Sequence, residues 1–331
     1  MLVDTATGSI ETAAADAAMA EAAGYDGLFT GELNGDPFLP LVLAAGATRR
    51  LTIGTGIAVA FSRSPMTLAY TAHDLQRASG GRFVLGLGSQ VKAHIERRFS
   101  MPWGRPAAQM REFVLALRAA WSSWADGQPL DFEGEYYRHT LMPPRFVPAH
   151  HDFGPPPVYV AGVGDAMTRI AGEVADGFLC HAFTTERWIR EHSLPFLVEG
   201  RRRSGQSMDG FTMKAAIFLA TGTDEQIEAE VDTIREQLAF YASTPAYRPI
   251  LELHGWGDMG AELTRLSKAG RWSEMPHLII DEVVEAFAIV APVNQVPEVL
   301  HRRLGDVVDR VSFISRAHHP ELVAACRGDG P

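Results

Sequence analysis

Two carboxylates follow the second apolar segment of the chain closely enough to share one pocket. Glu32 stands two residues after segment 25–30, and Asp36 stands four residues further on. Because that segment is predicted to be a strand, both side chains lie where parallel α/β proteins bind their ligands. A carboxylate there can serve as a general acid or base, and the alternative is a helix cap or an ion pair. Glu32 and Asp36 are therefore the candidate catalytic residues.

Glycines mark the ends of the neighbouring apolar segments. Gly31 follows segment 25–30, Gly56 lies in the run LTIGTGIAVAF, and Gly88 ends the run RFVLGLGS. A strand end without side chains lets a flat ring or a phosphate approach the backbone closely. Ser89 and His94 come next, and His94 could bond a phosphate or a ring carbonyl, although an isolated histidine is often an ordinary surface or core residue. These five residues are candidate ligand contacts.

A second glycine pair opens a predicted helix. Gly162, Val163 and Gly164 follow a strand directly, and Asp165 begins the helix. Free N–H groups and the helix dipole at such a position favour a phosphate. A dinucleotide-binding fingerprint would need a third glycine at position 167, where the chain has Met167. A phosphate site and an ordinary tight turn both remain open on the sequence alone.

Other catalytic patterns are absent from the sequence. It contains neither a phosphate-binding P-loop nor a serine or cysteine in a nucleophile elbow. The histidine pairs 150–151 and 318–319 have no carboxylate or cysteine at a ligand spacing, so we predict no metal site.

The elements that must position these residues alternate between strand and helix. Segment 51–96 is typical of a strand–helix–strand unit, because Pro65 can open a helix that Gly80 ends. Each strand but the last is followed by a predicted helix, and residues 245–280 are expected to be irregular around one helix at 259–269. Strands are predicted at 2–5, 25–30, 51–61, 82–89, 158–161, 177–181, 211–220 and 310–315.

Eight strands in 331 residues favour a (β/α)8 TIM barrel over a doubly wound open sheet. The barrel is expected to be one domain over residues 1–331. Its insertions, after strands 4 and 7, cover about 125–155 and 245–290, and the first contains a β-hairpin at 131–139.

Composition restricts the partners. The net charge of −10 argues against nucleic acid or an anionic membrane as the main partner, and 46% apolar residues allow a full core. No apolar window approaches the length of a membrane span. With two cysteines and no leader-like N-terminus, we expect a cytoplasmic protein that acts on a small molecule.

Several stretches together resemble the bacterial luciferase-like monooxygenase superfamily of (β/α)8 flavin and deazaflavin enzymes. They include AEAAGYDGLFTGE at 20–32, SGGRFVLGLGS at 79–89, VYVAGVG at 158–164 and AGEVADGFL at 171–179. Within the superfamily the chain looks most like the oxidoreductases that use the deazaflavin coenzyme F-420. The segment LELHGWGDMGAELTRLSKAGRW at 251–272 is similar to one uncharacterised actinobacterial group of these.

The resemblance implies roles for the candidate residues. Gly56 and Ile57 match a non-proline cis peptide whose bulge presses on the coenzyme ring. The backbone amides of Gly162, Val163 and Gly164 would hold the coenzyme phosphate, and Ser89 and His94 would contact its ribityl-phosphate arm. Glu32 matches a catalytic or ring-contacting position after strand two, and Asp36 is close enough to share its pocket.

Relatives that oxidise glucose 6-phosphate carry a basic cluster for the sugar phosphate, and this chain has no equivalent. Aromatic side chains would instead form the pocket, which suggests an apolar or aromatic substrate; the alternative for each of them is core packing. The predicted pocket residues are Phe38, Phe61, Trp103, Phe183 and Trp256, with Met259 beside them.

These implications lead to one preferred function and two alternatives. The preferred function is hydride transfer between C5 of the deazaflavin and an organic substrate. The alternatives are an FMN-dependent monooxygenase and a non-catalytic deazaflavin-binding protein. FMN-dependent members commonly hold the phosphate with arginine, serine or threonine side chains, which residues 162–164 lack. Family members are usually dimers, so we also expect a homodimer that packs through the alanine-rich second helix.

Overall fold

Eight parallel strands form a closed barrel in the computed structural model, which describes residues 1–317 and 319–327. Each strand pairs with the next one along the chain, and the last pairs with the first, so the sheet has no open edge. The predicted (β/α)8 barrel is confirmed. The barrel strands are β1 Leu2–Ala6, β2 Gly27–Thr30, β3 Thr52–Thr55, β4 Phe83–Gly88, β5 Val158–Gly162, β6 Gly177–Cys180, β7 Thr212–Ala220 and β8 Arg310–Ile314.

Helices follow the strands, and side chains cap the first turn of some of them. The helix Pro65–Ser79 starts at Ser64, whose side chain accepts a hydrogen bond from the Thr67 amide, and ends at Gly80 with φ of 69°. A π-helical turn, Ile189–Ser193, joins two of the helices. The helices are Ala13–Ala22, Leu39–Ala47, Pro65–Ser79, Lys92–Arg97, Pro106–Asp126, Asp165–Val174, Glu186–Trp188, Leu194–Arg203, Asp224–Ala242, Arg248–Leu253, Gly257–Lys268, Asp281–Phe287, Val296–Leu304 and Glu321–Arg327.

The two insertions differ in kind. The first contains the predicted hairpin, in which Phe132–Glu133 pairs antiparallel with Arg138–His139. The second is more helical than predicted, because Arg248–Leu253 and Asp281–Phe287 are helices beside Gly257–Lys268. Buried side chains such as Ile250 and Leu251 anchor the first of these helices in a hydrophobic cluster, so packing stabilises a segment with weak sequence periodicity.

Two further short elements were not predicted. Ala288–Val290 pairs in parallel with the end of β7, next to Phe218–Ala220. A helix, Glu321–Arg327, follows β8, which was expected to be the last element. Its Leu322, Val323 and Cys326 side chains are buried in the main core, which explains why this short segment is helical.

Inside the barrel, alternate residues of the strands meet at its axis. Phe29, Val84, Tyr159 and Leu179 form one apolar cluster there. Below Phe29, the buried Asp4 carboxylate accepts hydrogen bonds from Lys214 and Arg310; the Lys214 Nζ–Asp4 Oδ2 distance is 2.8 Å. Lys214 Nζ also lies 4.3 Å from the centre of the Phe29 ring. Charge and ring contacts therefore fill the barrel interior at the amino-terminal ends of the strands, and the carboxyl-terminal end is left for the site.

The second helix, Leu39–Ala47, exposes an apolar face. Leu39, Val42 and Leu43 are each more than 40% exposed and lie three and four residues apart, so they share one side of the helix. The predicted homodimer stays a prediction, which sedimentation of the purified protein would test. Within residues 1–317 and 319–327, no helix combines the length and apolar character that crossing a bilayer requires.

Gly86 provides a test of the interior packing. A Cβ atom on Gly86 would lie 1.9 Å from the Thr55 carbonyl oxygen and 2.8 Å from Leu179 Cδ1, so the backbone of β3 would have to move. We expect Gly86→Ala to lower the free energy of unfolding by at least about 2 kcal/mol in urea denaturation. The control is Gly46→Ala in the helix Leu39–Ala47, where a Cβ atom would have no atom within 4 Å outside its chain neighbours and the helix's own backbone. This variant should be neutral or stabilising by about 0.5–1 kcal/mol. Equal unfolding midpoints for Gly86→Ala and the wild type would contradict this packing.

Candidate functional site

The carboxyl end of the barrel is shaped by one extra residue in the third strand. Gly54 of β3 pairs with Val84 of β4, and the two-residue strand Ala58–Val59, which continues β3, places Ala58 opposite Leu87. Four steps along one chain therefore match three steps along the other. The extra residue is a β-bulge, which re-aims a side chain and is common next to active sites. The Gly56 amide donates to the Thr30 carbonyl at 2.7 Å, and the Glu32 amide donates to the Ile57 carbonyl at 3.0 Å. The bulge is therefore fastened to the end of β2.

Ile57 lies at the top of this bulge, above the interior cluster. The peptide bond between Gly56 and Ile57 is cis, and it is the bond that the resemblance singles out. A Cβ atom on Gly88 would lie 2.8 Å from Ile57 Cγ1, so only glycine at position 88 leaves room for the Ile57 side chain. Gly31 and Gly56 are exposed, and Ile57 is partly exposed. Four of the predicted ligand contacts therefore meet at the carboxyl end of the barrel, which is called its mouth below. They are Gly31, Gly56, Ile57 and Gly88.

Glu32 and Asp36 lie close together because Arg63 binds both of them. Glu32 Oε2 accepts hydrogen bonds from Arg63 at 2.6 Å and from the Val59 amide at 2.7 Å. The second guanidinium nitrogen lies 3.1 Å from Asp36 Oδ2. The sequence prediction missed Arg63, which stands 31 residues after Glu32. Glu32 itself is buried, with 8% of its surface exposed, and no hydrogen bond reaches its Oε1 within the described part of the chain.

The loop after β4 carries the two other predicted polar contacts. Ser89 donates a hydrogen bond to the Gln90 carbonyl, and Gln90 has φ of 58°, so the chain turns sharply there. His94 lies exposed on the short helix Lys92–Arg97. Arg98 then donates to the Leu33 carbonyl at 2.6 Å, which joins this loop to the one after β2.

The turn after β5 offers backbone groups. Gly164 is the N-cap of the helix Asp165–Val174, and no side chain caps it, so the N–H groups of the first turn remain available for an anion. A Cβ atom on Gly162 would lie 2.9 Å from Met167 Cγ, whereas nothing lies within 4 Å of one on Gly164. The turn therefore packs against its helix on one side and is open on the other, as a phosphate cradle requires.

The rings of His181 and Tyr247 lie in contact at the end of β6. The sequence analysis did not predict this contact. The His181 Nε2–Tyr247 oxygen distance is 3.0 Å, and the rings are stacked with their centres 4.7 Å apart. Tyr247 comes from the second insertion, and Tyr241 lies edge-on to His181. Burial lowers the pKa of His181 to about 4 and, together with Tyr241, raises the pKa of Tyr247 to about 12. Both groups are therefore neutral near pH 7.

The predicted aromatic pocket is largely a misreading of core residues. Phe38, Phe61 and Phe183 are at most 5% exposed and pack in hydrophobic clusters, so they offer no open wall. Alternating apolar residues cannot by themselves distinguish a core face from a pocket face. Trp103 and Trp256 are partly exposed, and Trp256 stacks on His254 at 4.5 Å.

No group of three or more histidine, cysteine, aspartate or glutamate side chains is arranged to hold an ion among residues 1–317 and 319–327. His150 pairs with Asp152. His318 lies outside the described residues.

Comparison with protein families and curated sequences agrees with this architecture. The family model described as luciferase-like monooxygenase matches residues 2–310. An uncharacterized protein of Mycobacterium tuberculosis is 51% identical over 318 residues, which are 96% of this chain and 94% of that protein. A putative coenzyme F-420-dependent oxidoreductase of the same organism is 28% identical over 299 residues, which cover 84% of this chain and 83% of the relative.

Solved structures show the same fold. The coenzyme F-420-dependent tetrahydromethanopterin reductase from Methanopyrus kandleri superimposes with a TM-score of 0.77 at 21% identity. The alignment covers 99% of this chain and 97% of that enzyme.

His181 gives the protein an acid-sensitive group. Its folded pKa, about 4, lies below the ordinary 6.5, so the unfolded chain binds the proton first, and stability falls as the pH drops from about 6.5 to about 4. Over that range His181 should cost up to about 3 kcal/mol of unfolding free energy. Urea denaturation at several pH values should therefore show a steeper loss for the wild type than for His181→Gln. The exposed His94→Gln variant is the control and should follow the wild type; parallel curves for all three proteins would contradict the burial of His181.

Proposed function

Because the chain belongs to the luciferase-like monooxygenase family and is therefore an oxidoreductase, we propose that it uses the deazaflavin coenzyme F-420. In this proposal hydride passes between the coenzyme and a small organic substrate, and the partly exposed Trp103 and Trp256 are the predicted pocket residues left to contact an apolar or aromatic part of it. The similarity to a putative F-420-dependent oxidoreductase over most of the chain supports the choice of coenzyme. The observation that carries the proposal is the bulge that lifts Ile57 into the mouth of the barrel.

Ile57 would support one face of the coenzyme ring. The exposed glycines at positions 31 and 56 leave the backbone beside it open, and Gly88 lets the Ile57 side chain lie against β4. The surface formed by Ile57 and the backbone at positions 31 and 56 is called the Ile57 floor below. A flat ring lying on this floor has one face covered by protein and one face free for the substrate. The chain thereby orients the ring and restricts transfer to a single side.

Gly162, Val163 and Gly164 would hold the coenzyme phosphate through backbone N–H groups. The uncapped start of the helix Asp165–Val174 adds the favourable end of its dipole. FMN-dependent members of the family commonly hold the phosphate with arginine, serine or threonine side chains. None of these residues lies in this turn, which favours the deazaflavin coenzyme over FMN. Ser89 and His94 follow β4, the strand next to β5 in the barrel. They would contact the rest of the phosphate-bearing arm of the coenzyme.

Glu32 is the proposed acid–base residue, with Asp36 beside it. One oxygen of Glu32 is fixed by Arg63 and the Val59 amide, so the other oxygen, Oε1, is held in a defined direction. Proton transfer to or from a reacting group needs such a fixed geometry. The bound coenzyme would supply the hydride chemistry, and Glu32 would hold or move a proton at Oε1 beside it.

Coenzyme binding tests the proposal directly. The apoprotein is titrated with F-420 and separately with FMN while tryptophan fluorescence is followed. We expect saturable binding of F-420 and at least about tenfold weaker binding of FMN, because residues 162–164 provide amides and no phosphate-binding side chain. Gly164→Val, which places a side chain in the open half of the turn, should weaken F-420 binding by about tenfold or more. Tighter binding of FMN would assign the chain to the flavin monooxygenases instead.

Glu32 is tested separately in turnover. A screen of apolar and aromatic compounds with reduced F-420, under exclusion of oxygen, identifies a substrate, and Glu32→Gln is then compared with the wild type. We expect the coenzyme Kd to stay within about threefold while kcat falls by about 100-fold or more. Glu133→Gln, on the exposed hairpin, is the control. Equal kcat for Glu32→Gln and the wild type would remove Glu32 from this role, and tight coenzyme binding without any turnover would favour a non-catalytic binding protein.

A further inference from the structure

The hydroxyl group of Tyr247 is oriented by two hydrogen bonds that begin at a backbone amide. The Phe183 N–H donates to His181 Nδ1 at 2.9 Å, so this nitrogen carries no proton. The neutral ring must then carry its proton on Nε2, which donates to the Tyr247 oxygen. The hydroxyl hydrogen of Tyr247 is left without an acceptor within residues 1–317 and 319–327. Tyr247 is therefore a preoriented donor whose hydroxyl hydrogen has no acceptor among the described residues.

This donor stands at the mouth of the barrel. Leu179 of β6 belongs to the interior cluster, whereas Phe178 and Cys180 belong to the outer core, so His181 continues the inward-facing row. Gly162 pairs with Cys180, which places the proposed phosphate turn directly beside His181. Val163, Tyr241, Tyr247 and Trp256 pack on one hydrophobic cluster. The donor thus projects from an apolar wall.

Two polar groups therefore stand on opposite sides of the Ile57 floor. β2, which carries Glu32, and β6, which carries His181, are four strands apart in a closed ring of eight. The group around Glu32 is charged and paired with Arg63. The group at Tyr247 is neutral and accepts a hydrogen bond from His181, and its hydroxyl hydrogen can bind a new acceptor without breaking an ion pair.

We propose that Tyr247, oriented by His181, donates a hydrogen bond to an oxygen atom on the reacting carbon of the substrate. The inference rests on the proposed function and names its substrate class: an apolar ketone or aldehyde, or the corresponding alcohol in reverse. A neutral donor in an apolar wall suits an uncharged carbonyl oxygen, whereas a carboxylate or phosphate would need a cation there. The neighbouring Val163 and Trp256 would contact the apolar body of the substrate.

The reaction balances with the groups named. In the direction of reduction, the substrate carbon receives hydride from reduced F-420, and the carbonyl π bond breaks. The oxygen takes the hydroxyl proton of Tyr247, and the alcohol forms. Solvent returns a proton to the Tyr247 oxygen, which is reachable because the residue is partly exposed. The substrate gains two electrons and two protons in all, and the coenzyme is the reductant.

Steady-state kinetics give the first test. Reoxidation of reduced F-420 is followed by its visible absorbance with cyclohexanone and benzaldehyde as probes. We expect turnover by the wild type, and a loss of at least about 100-fold in kcat/KM for Tyr247→Phe, because a donor to the developing oxyanion is removed. Tyr25→Phe, which removes a hydroxyl at the opposite end of the barrel, should behave as the wild type. Failure of the wild type to turn over any carbonyl probe, or the corresponding alcohols in reverse, would overturn the inference.

Infrared spectroscopy gives a second test that does not depend on turnover. The carbonyl stretch of isotope-labelled cyclohexanone is measured in the complex with protein and oxidised coenzyme. Donation by Tyr247 should lower the stretching frequency, and Tyr247→Phe should abolish the shift. His181→Phe keeps a ring in place but frees the hydroxyl, so we expect a broader and less shifted band. An unchanged band in Tyr247→Phe would exclude the proposed contact.

The two proposals fail in different ways. If F-420 does not bind in the titration, the proposed function is wrong. If F-420 binds and other compounds are turned over, but carbonyls and alcohols are not, only the assignment of Tyr247 is wrong.

Discussion

The mouth of the barrel depends on the mismatch between β3 and β4. Between Gly54 and Ala58 one strand advances four residues while its partner advances three, so the chain must bulge. The bulge stays in place because two hydrogen bonds join it to the end of β2. The Gly56 amide donates to the Thr30 carbonyl, and the Glu32 amide, just after β2, donates to the Ile57 carbonyl. Gly88 leaves the space that Ile57 occupies. A larger residue at position 88 would displace Ile57, and with it the floor on which the proposed ring lies.

The same strand ends bring two dissimilar polar groups to this floor. On the β2 side, Arg63 binds Glu32 and Asp36, so charge is balanced and geometry is fixed. On the β6 side, burial keeps His181 and Tyr247 neutral, and a backbone amide decides which nitrogen of the histidine is protonated. The combination suits a reaction in which a ring moves a hydride while separate side chains handle protons and recognise an oxygen.

Much of this could be predicted from the sequence, because local patterns determine it. Gly31, Gly56, Gly88 and the turn at 162–164 follow apolar runs, and the closed barrel brings the ends of those runs together. Arg63 and Tyr247 could not be found in this way. Each meets its partner across a separation of 31 or 66 residues, and only the three-dimensional fold sets those distances.

Phe38, Phe61 and Phe183 illustrate the opposite error, because an aromatic residue near a strand end is compatible with either a pocket or a core. Their burial is decided by the helices that cover them, which the strand pattern does not reveal.

A crystal structure of the protein with F-420 bound would test the central claim most directly. The account predicts the deazaflavin ring on Ile57, the phosphate at the amides of residues 162–164, and the free face of the ring between Glu32 and Tyr247. A ring bound away from Ile57, or a phosphate held by side chains elsewhere in the barrel, would contradict it.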